Sequence, residues 1–93
     1  MARETSVERR LVEKVREAGG QCYKWPPTPT AGVPDRIVFL NGTVYVVETK
    51  TDGGEVRPIQ RVRHAEINAA GVEVHLLWDR AQVDAWVAER TER

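Results

Sequence analysis

The sequence predicts an α/β fold with the element order αβββαβα and a mixed central sheet flanked by helices. Three observations carry this expectation. Asn41-Gly42 stands between two runs of β-branched and aromatic residues within Arg36 to Val47, the strongest short-range signal for a hairpin with a two-residue type I′ turn. Val7, Leu11, Val15 and Ala18 recur at three- and four-residue spacing ahead of Gly19-Gly20, the pattern of an amphipathic helix and its stop. Pro58 and Gly71 bracket a second helical stretch that leads into the apolar run Val72 to Trp78. Helix and strand in that order place helices against a sheet.

Taken in chain order, residues 5 to 18 form the first helix. Thr5 and Glu8 have the spacing of a capping box, and Glu8 also flanks the apolar stripe, so it points partly toward the core. Glu4 is a competing carboxylate that precedes the first turn. Gln21 to Trp25 reads as a short strand stopped by Pro26-Pro27, and Pro26 to Pro34, with four prolines, is a loop. Pro34 pushes Val33 toward extended backbone and so delivers Asp35 to the hairpin. After the hairpin, Asp52-Gly53-Gly54 marks a flexible turn. In the second helix Ile59, Val62, Ala65, Ala69 and Ala70 supply a weak apolar face, with Arg57, Arg61, Arg63 and His64 on the other surfaces. The last helix, Arg80 to Glu89, carries Val83, Trp86 and Val87.

A chain of 93 residues is expected to be one domain, 1–93, near the lower size limit for an adequate core. Hydrophobic residues at 41% and charged residues at 30% fit a globular protein. No apolar run approaches the ~20 residues of a membrane span, and no signal peptide opens the sequence. The single Cys22 excludes an intrachain disulfide and a cysteine-based zinc site. The expected compartment is a reducing cytoplasm. A formal net charge of zero argues against a general nucleic-acid coat, although Lys and Arg concentrated on one face would still allow local phosphate contacts.

The hairpin carries the chemistry. If Asn41 and Gly42 form the turn, paired residues have numbers summing to 83, and Asp35 falls across from Glu48. Cβ atoms of such a pair lie roughly 4.5–5.5 Å apart, and like charges there repel. Lys50 projects from the same face about 7 Å further on. A divalent cation is the simplest relief for two facing carboxylates. The plain structural alternative is an exposed Glu48–Lys50 ion pair worth ~0–1 kcal/mol. Glu48, however, ends the apolar run Val44-Tyr45-Val46-Val47, typical of a strand covered on both faces, where opposed acids lack a structural reason. His64 reads as a solvated or DNA-facing residue, Lys24 as able to reach the site from the neighbouring strand. Trp25, Trp78 and Trp86 read as core or interface residues.

Val-Pro-Asp at 33–35 followed by Glu-x-Lys at 48–50 resembles the PD-(D/E)XK nuclease superfamily. More specifically, Gly-Val-Pro-Asp-Arg-Ile-Val (32–38), Val-Val-Glu-Thr-Lys (46–50) and Arg-Pro-Ile-Gln-Arg (57–61) resemble the VRR-NUC family of stand-alone phage and bacterial type. Val-Glu-Arg-Arg-Leu-Val (7–12) is similar to the opening helix of Holliday-junction resolvases. The resemblance implies a restriction endonuclease-like fold and a metal-dependent DNA endonuclease. It makes Asp35, Glu48, the Thr49 backbone carbonyl and Glu8 the ligands of Mg²⁺, for which Mn²⁺ should substitute. Lys50 would position or activate the attacking water, and Gln60 would stand near the lysine or the scissile phosphate. Lys24, Arg36, Arg57, Arg61, Arg63 and His64 are the expected DNA contacts. The family commonly has an apolar residue where this chain has Thr49, whose side chain is expected to face away from the site.

The expected substrate is branched DNA such as a Holliday junction. Paired nicks call for two sites, hence a homodimer, for which Trp78, Trp86 and Val87 offer spare apolar surface. A flap-directed or nonspecific nuclease working within a larger complex is the competing enzyme. A catalytically silent nucleic-acid-binding module is the competitor from another class.

Overall fold

The computed structural model describes residues 5–51 and 54–91. The elements are α1 (Ser6–Glu17), β1 (Gln21–Lys24), β2 (Arg36–Leu40), β3 (Thr43–Thr49), α2 (Pro58–Ala69), β4 (Val74–Leu77) and α3 (Arg80–Thr91). The order is therefore the expected αβββαβα. Glu4 and the Asp52-Gly53 portion of the turn lie outside the described residues.

The sheet has the order β1-β2-β3-β4. The first three strands are antiparallel, and β4 runs parallel to β3 after the crossover through α2, so the sheet is mixed. The hairpin register runs from Arg36↔Val47 to Leu40↔Thr43, every pair summing to 83. Asn41 at φ 52° and Gly42 at φ 81° both have the positive φ that a type I′ turn requires.

Alternation divides the sheet into two unlike faces. On one, Cys22, Val38, Leu40, Val47 and Leu77 pack beneath α1 and α3, against Val7, Leu11, Val15, Val83, Trp86 and Val87. Each such buried aliphatic side chain contributes roughly 1.5–3 kcal/mol, and Leu11→Ala, at a fully buried position, would cost about 2–5 kcal/mol. A two-pronged contact joins the two helices, with Arg10 Nε and Nη2 each 2.8 Å from an Asp84 oxygen. Glu48 and Lys50 lie on the other face. Since α2 meets both, α2 covers that end of the second face, and Tyr23, Phe39, Val44 and Leu76 are left exposed.

Two expectations are corrected here. Trp86 and Val87 are core residues, not spare surface: Trp86 stacks edge-to-face on Tyr45 and His75 under α3. The face α2 buries is also not the apolar one. Ile59, Val62, Ala65, Ala69 and Ala70 are exposed, and the buried residues of α2 are Gln60 and His64. The helix is oriented by what lies beneath it, two charged residues at the end of β3, which polar side chains can satisfy and apolar ones cannot.

Candidate active site

Asp35 stands one residue before the β2 ladder, with its carbonyl accepting from Trp25 N at 3.0 Å. Beyond the last paired residue, alternation no longer fixes where a side chain points. The Asp35 carboxylate turns to Thr49, accepting from the amide at Oδ1 (3.0 Å) and from the hydroxyl at Oδ2 (2.6 Å). Thr49 is buried, and its side chain serves the site, contrary to expectation. Burial raises the Asp35 pKa, the two Thr49 bonds oppose that rise, and the Glu8 charge adds to it.

Glu48 is buried, and its Oε1 has no hydrogen-bond partner. Desolvation first, then the Asp35 charge, push its pKa up to about 7, against the pull of Lys50 and Arg57. This carboxylate is short of positive charge. Lys50 follows the end of β3, and its amide still bonds Leu77 O at 2.8 Å, which keeps the chain extended and the ammonium on the Glu48 face. Lys50 Nζ donates to Gln60 Oε1 at 2.6 Å, and the same oxygen accepts from Arg57 N at 2.9 Å. Both neighbours are donors, so the amide orientation is fixed by its partners. Gln60 thus caps α2 and holds Lys50 at once.

Gly32 explains how α2 comes so close. Its φ of 85° suits glycine, and a Cβ there would lie 2.5 Å from Ile59 O. Arg63 Nε donates to Ala31 O at 2.8 Å, tying the same loop to the helix. The Gly-Val-Pro-Asp segment therefore seats the first turn of α2 and presents Asp35 in one stroke.

Several expected residues have other roles. Arg36 is buried and faces the core side of the sheet, with Nε and Nη2 each 2.8 Å from Glu8 Oε2. It is not a DNA contact, because alternation places it with Val38 and Leu40. Glu8 is buried on that ion pair, and only half of the capping box forms, Glu8 N donating to Thr5 Oγ1 at 3.0 Å. Glu8 nevertheless lines a cleft of about 340 Å³ with Lys24, Trp25, Thr28, Pro34 and Asp35. Arg63 is engaged by Ala31 and Glu66. His64, expected at the surface, is buried with Nε2 3.6 Å from Glu48 Oε1. Burial, then Lys50, lower its pKa. Its signal in the sequence was its position four residues after Gln60, on the same helical face. Lys24, Arg57 and Arg61 are exposed; Lys24 lines the cleft with Asp35, and the Arg57 charge acts on Glu48.

The donor set suits a hard divalent cation. Asp35, Glu48 and the Thr49 carbonyl offer oxygen only, and the charge of Asp35 beside the buried Glu48 carboxylate favours a cation between them. Among the described residues no three His, Cys, Asp or Glu side chains form a ready cage; a cation that retains several waters does not need one. A larger hollow of about 560 Å³, at the other end of β3, is lined by Thr43, Tyr45, Glu73, His75, Glu89 and Arg90, and its two glutamates stand beside His75 and Arg90. No helix of the described residues is long and apolar enough to cross a membrane.

No family model matches the chain. It is 42% identical over 78 residues to a protein named "Putative nuclease p44" from Acyrthosiphon pisum secondary endosymbiont phage 1, a match covering 83% of this chain and 84% of the relative. A solved structure titled "VRR_NUC domain" superposes with a TM-score of 0.80 at 25% identity, over 91% of this chain and 94% of the other. The fold, the Gly-Val-Pro-Asp loop, the Glu-x-Lys strand end and these two relatives agree: the chain belongs to the VRR-NUC family of restriction endonuclease-like nucleases.

Proposed function

We propose that this protein is a Mg²⁺-dependent endonuclease that hydrolyses phosphodiester bonds in DNA, selective for branched DNA such as a Holliday junction and active as a homodimer. The observation that carries metal dependence is the Glu48 carboxylate, buried beside the Asp35 charge and pushed up to a pKa of about 7 by burial and that charge. Asp35, Glu48 and the Thr49 carbonyl would hold the cation. When bound, Mg²⁺, or Mn²⁺ in its place, makes water nucleophilic near neutral pH and neutralises charge on phosphate oxygens. Glu8 lines the same cleft with Oε2 committed to Arg36, so it would meet the site through its other oxygen. Lys50, steadied by Gln60, would orient the attacking water and stabilise the charge that develops on the phosphate. Lys24, Arg57 and Arg61 would hold flanking phosphates, contacts that position DNA without reading sequence.

Selectivity for a junction follows from paired chemistry. Two symmetric nicks need two sites, which a two-fold dimer supplies. The support for a dimer is the open sheet face, where Tyr23 is 52%, Phe39 43% and Val44 56% exposed; a contiguous apolar patch of this kind marks interaction surfaces. The test is cleavage of a labelled four-way junction, a flap, a linear duplex and a single strand, with and without Mg²⁺. Paired nicks in the junction that require Mg²⁺ are expected. Equal cutting of the linear duplex would make the enzyme nonspecific. Binding without cleavage of any substrate would make it a silent nucleic-acid-binding module.

A further inference from the structure

We infer that His64 is a positioning residue for Glu48: it holds one carboxylate oxygen and leaves the other to the cation. The inference rests on the metal site proposed above. Glu48 Oε1 and His64 Nε2 are both buried, both lack a hydrogen-bond partner, and lie 3.6 Å apart. Each unpaired buried polar group forfeits the hydrogen bond it would make to water. A side-chain shift of about half an ångström brings the pair within hydrogen-bond range and satisfies both. The imidazole Nε2–H donates, and Oε1 accepts.

The spacing shows why α2 can do this. Residues four apart on a helix are separated by about 6 Å along its axis, and residues two apart on a strand by about 6.6 Å. Gln60 and His64 therefore match Lys50 and Glu48, with the helix antiparallel to the strand. One member of the match is a formed bond, Lys50 Nζ to Gln60 Oε1 at 2.6 Å, and the other is the facing pair of unpartnered atoms. These two are the buried residues of α2. The helix face thus acts as a template for the Glu-x-Lys strand end, one residue for the lysine and one for the glutamate.

Partners that orient a ligating carboxylate typically control metal affinity by about 10–100-fold. The experiment is Mn²⁺ titration of the DNA-free protein, by calorimetry or by loss of the free-ion EPR signal, on wild type, His64→Phe, His64→Asn, His64→Gln and Glu48→Gln. Phenylalanine fills the space without a donor, asparagine is polar but too short, and glutamine returns a donor at similar reach. His64→Phe and His64→Asn are expected to weaken Mn²⁺ binding about tenfold or more, with metal-free unfolding still cooperative. His64→Gln should bind within about threefold of wild type, the rescue expected of an orienting partner. If His64→Phe fails to fold, the Asn and Gln variants carry the comparison. Wild-type affinity in both His64→Phe and His64→Asn, with binding lost in Glu48→Gln, would overturn the role of His64 and leave the metal site standing. Nitrogen hyperfine coupling to bound Mn²⁺ would also overturn it, by making His64 a direct ligand. No Mn²⁺ binding in wild type, or undiminished binding in Glu48→Gln, would overturn the metal site and this inference with it.

Discussion

Thr49 grips both oxygens of Asp35, through its amide at 3.0 Å and its hydroxyl at 2.6 Å. The last residue of β3 thereby fixes an acid that the β2 ladder does not reach. Thr49→Val keeps the shape and removes the hydroxyl bond. It should cost about 1 kcal/mol of stability and lower metal-dependent cleavage by about tenfold. Thr49→Ser should restore most of both. Denaturant unfolding and single-turnover cleavage check this, and a Thr49→Val enzyme as fast as wild type would count against the clamp.

Asp35→Asn or Glu48→Gln should abolish Mg²⁺-dependent cleavage and leave DNA binding measurable. Glu48→Gln removes a buried charge that is short of a counterion, so its metal-free midpoint should hold or rise. Wild-type turnover by either variant would remove these residues from the site.

The raised pKa of Glu48 also sets a pH dependence. Its folded value of about 7 stands above the ordinary 4.5, so the folded state binds the additional proton between them. Stability of the metal-free protein should therefore fall as pH rises through that window, by on the order of 2 kcal/mol. Asp35 acts in the same direction. His64 and His75, both lowered first by burial, act oppositely, so the difference between wild type and Glu48→Gln isolates the glutamate. Melts at pH 5 and pH 8 with and without Mg²⁺ check this. Mg²⁺ should restore the stability lost at the higher pH.

Glu8→Gln removes the carboxylate charge that pairs with the buried Arg36 guanidinium at 2.8 Å. Breaking one side of a buried pair costs about 3–5 kcal/mol, and glutamine, which can still accept a bond, should reduce that to about 2 kcal/mol. Urea unfolding is the measurement. Unchanged stability with a collapsed rate would instead place Glu8 directly on the cation.

Phe39→Glu puts a charge in the middle of the exposed apolar sheet face, beside Tyr23 at 6.1 Å between ring centroids. Light scattering should give about twice 10.5 kDa for wild type and the single mass for the variant. A wild-type monomer that still makes paired cuts in one binding event would refute the dimer.

The hairpin, its register and the carboxylates at its open end were legible in the order of amino acids alone. These are local or fixed by a period of two: Asn-Gly forces the turn, the turn forces the sum of 83, and the apolar runs force strands. The bracket from Pro58 to Gly71 likewise delimited α2, and the first helix was written in its apolar spacing. Which way side chains turn, where periodicity ends or where an element meets a polar neighbour, depends on contacts between distant elements. Asp35 lies just outside the ladder, so its partner was Thr49. Arg36 falls on the core face, where it meets Glu8 of α1. The apolar residues of α2 suggested one buried face, yet the charges of Glu48 and Lys50 select the opposite one, with Gln60 and His64 inward. Satisfying buried charge outweighs burying a few small aliphatic groups, and that balance exists only once strand and helix are in contact.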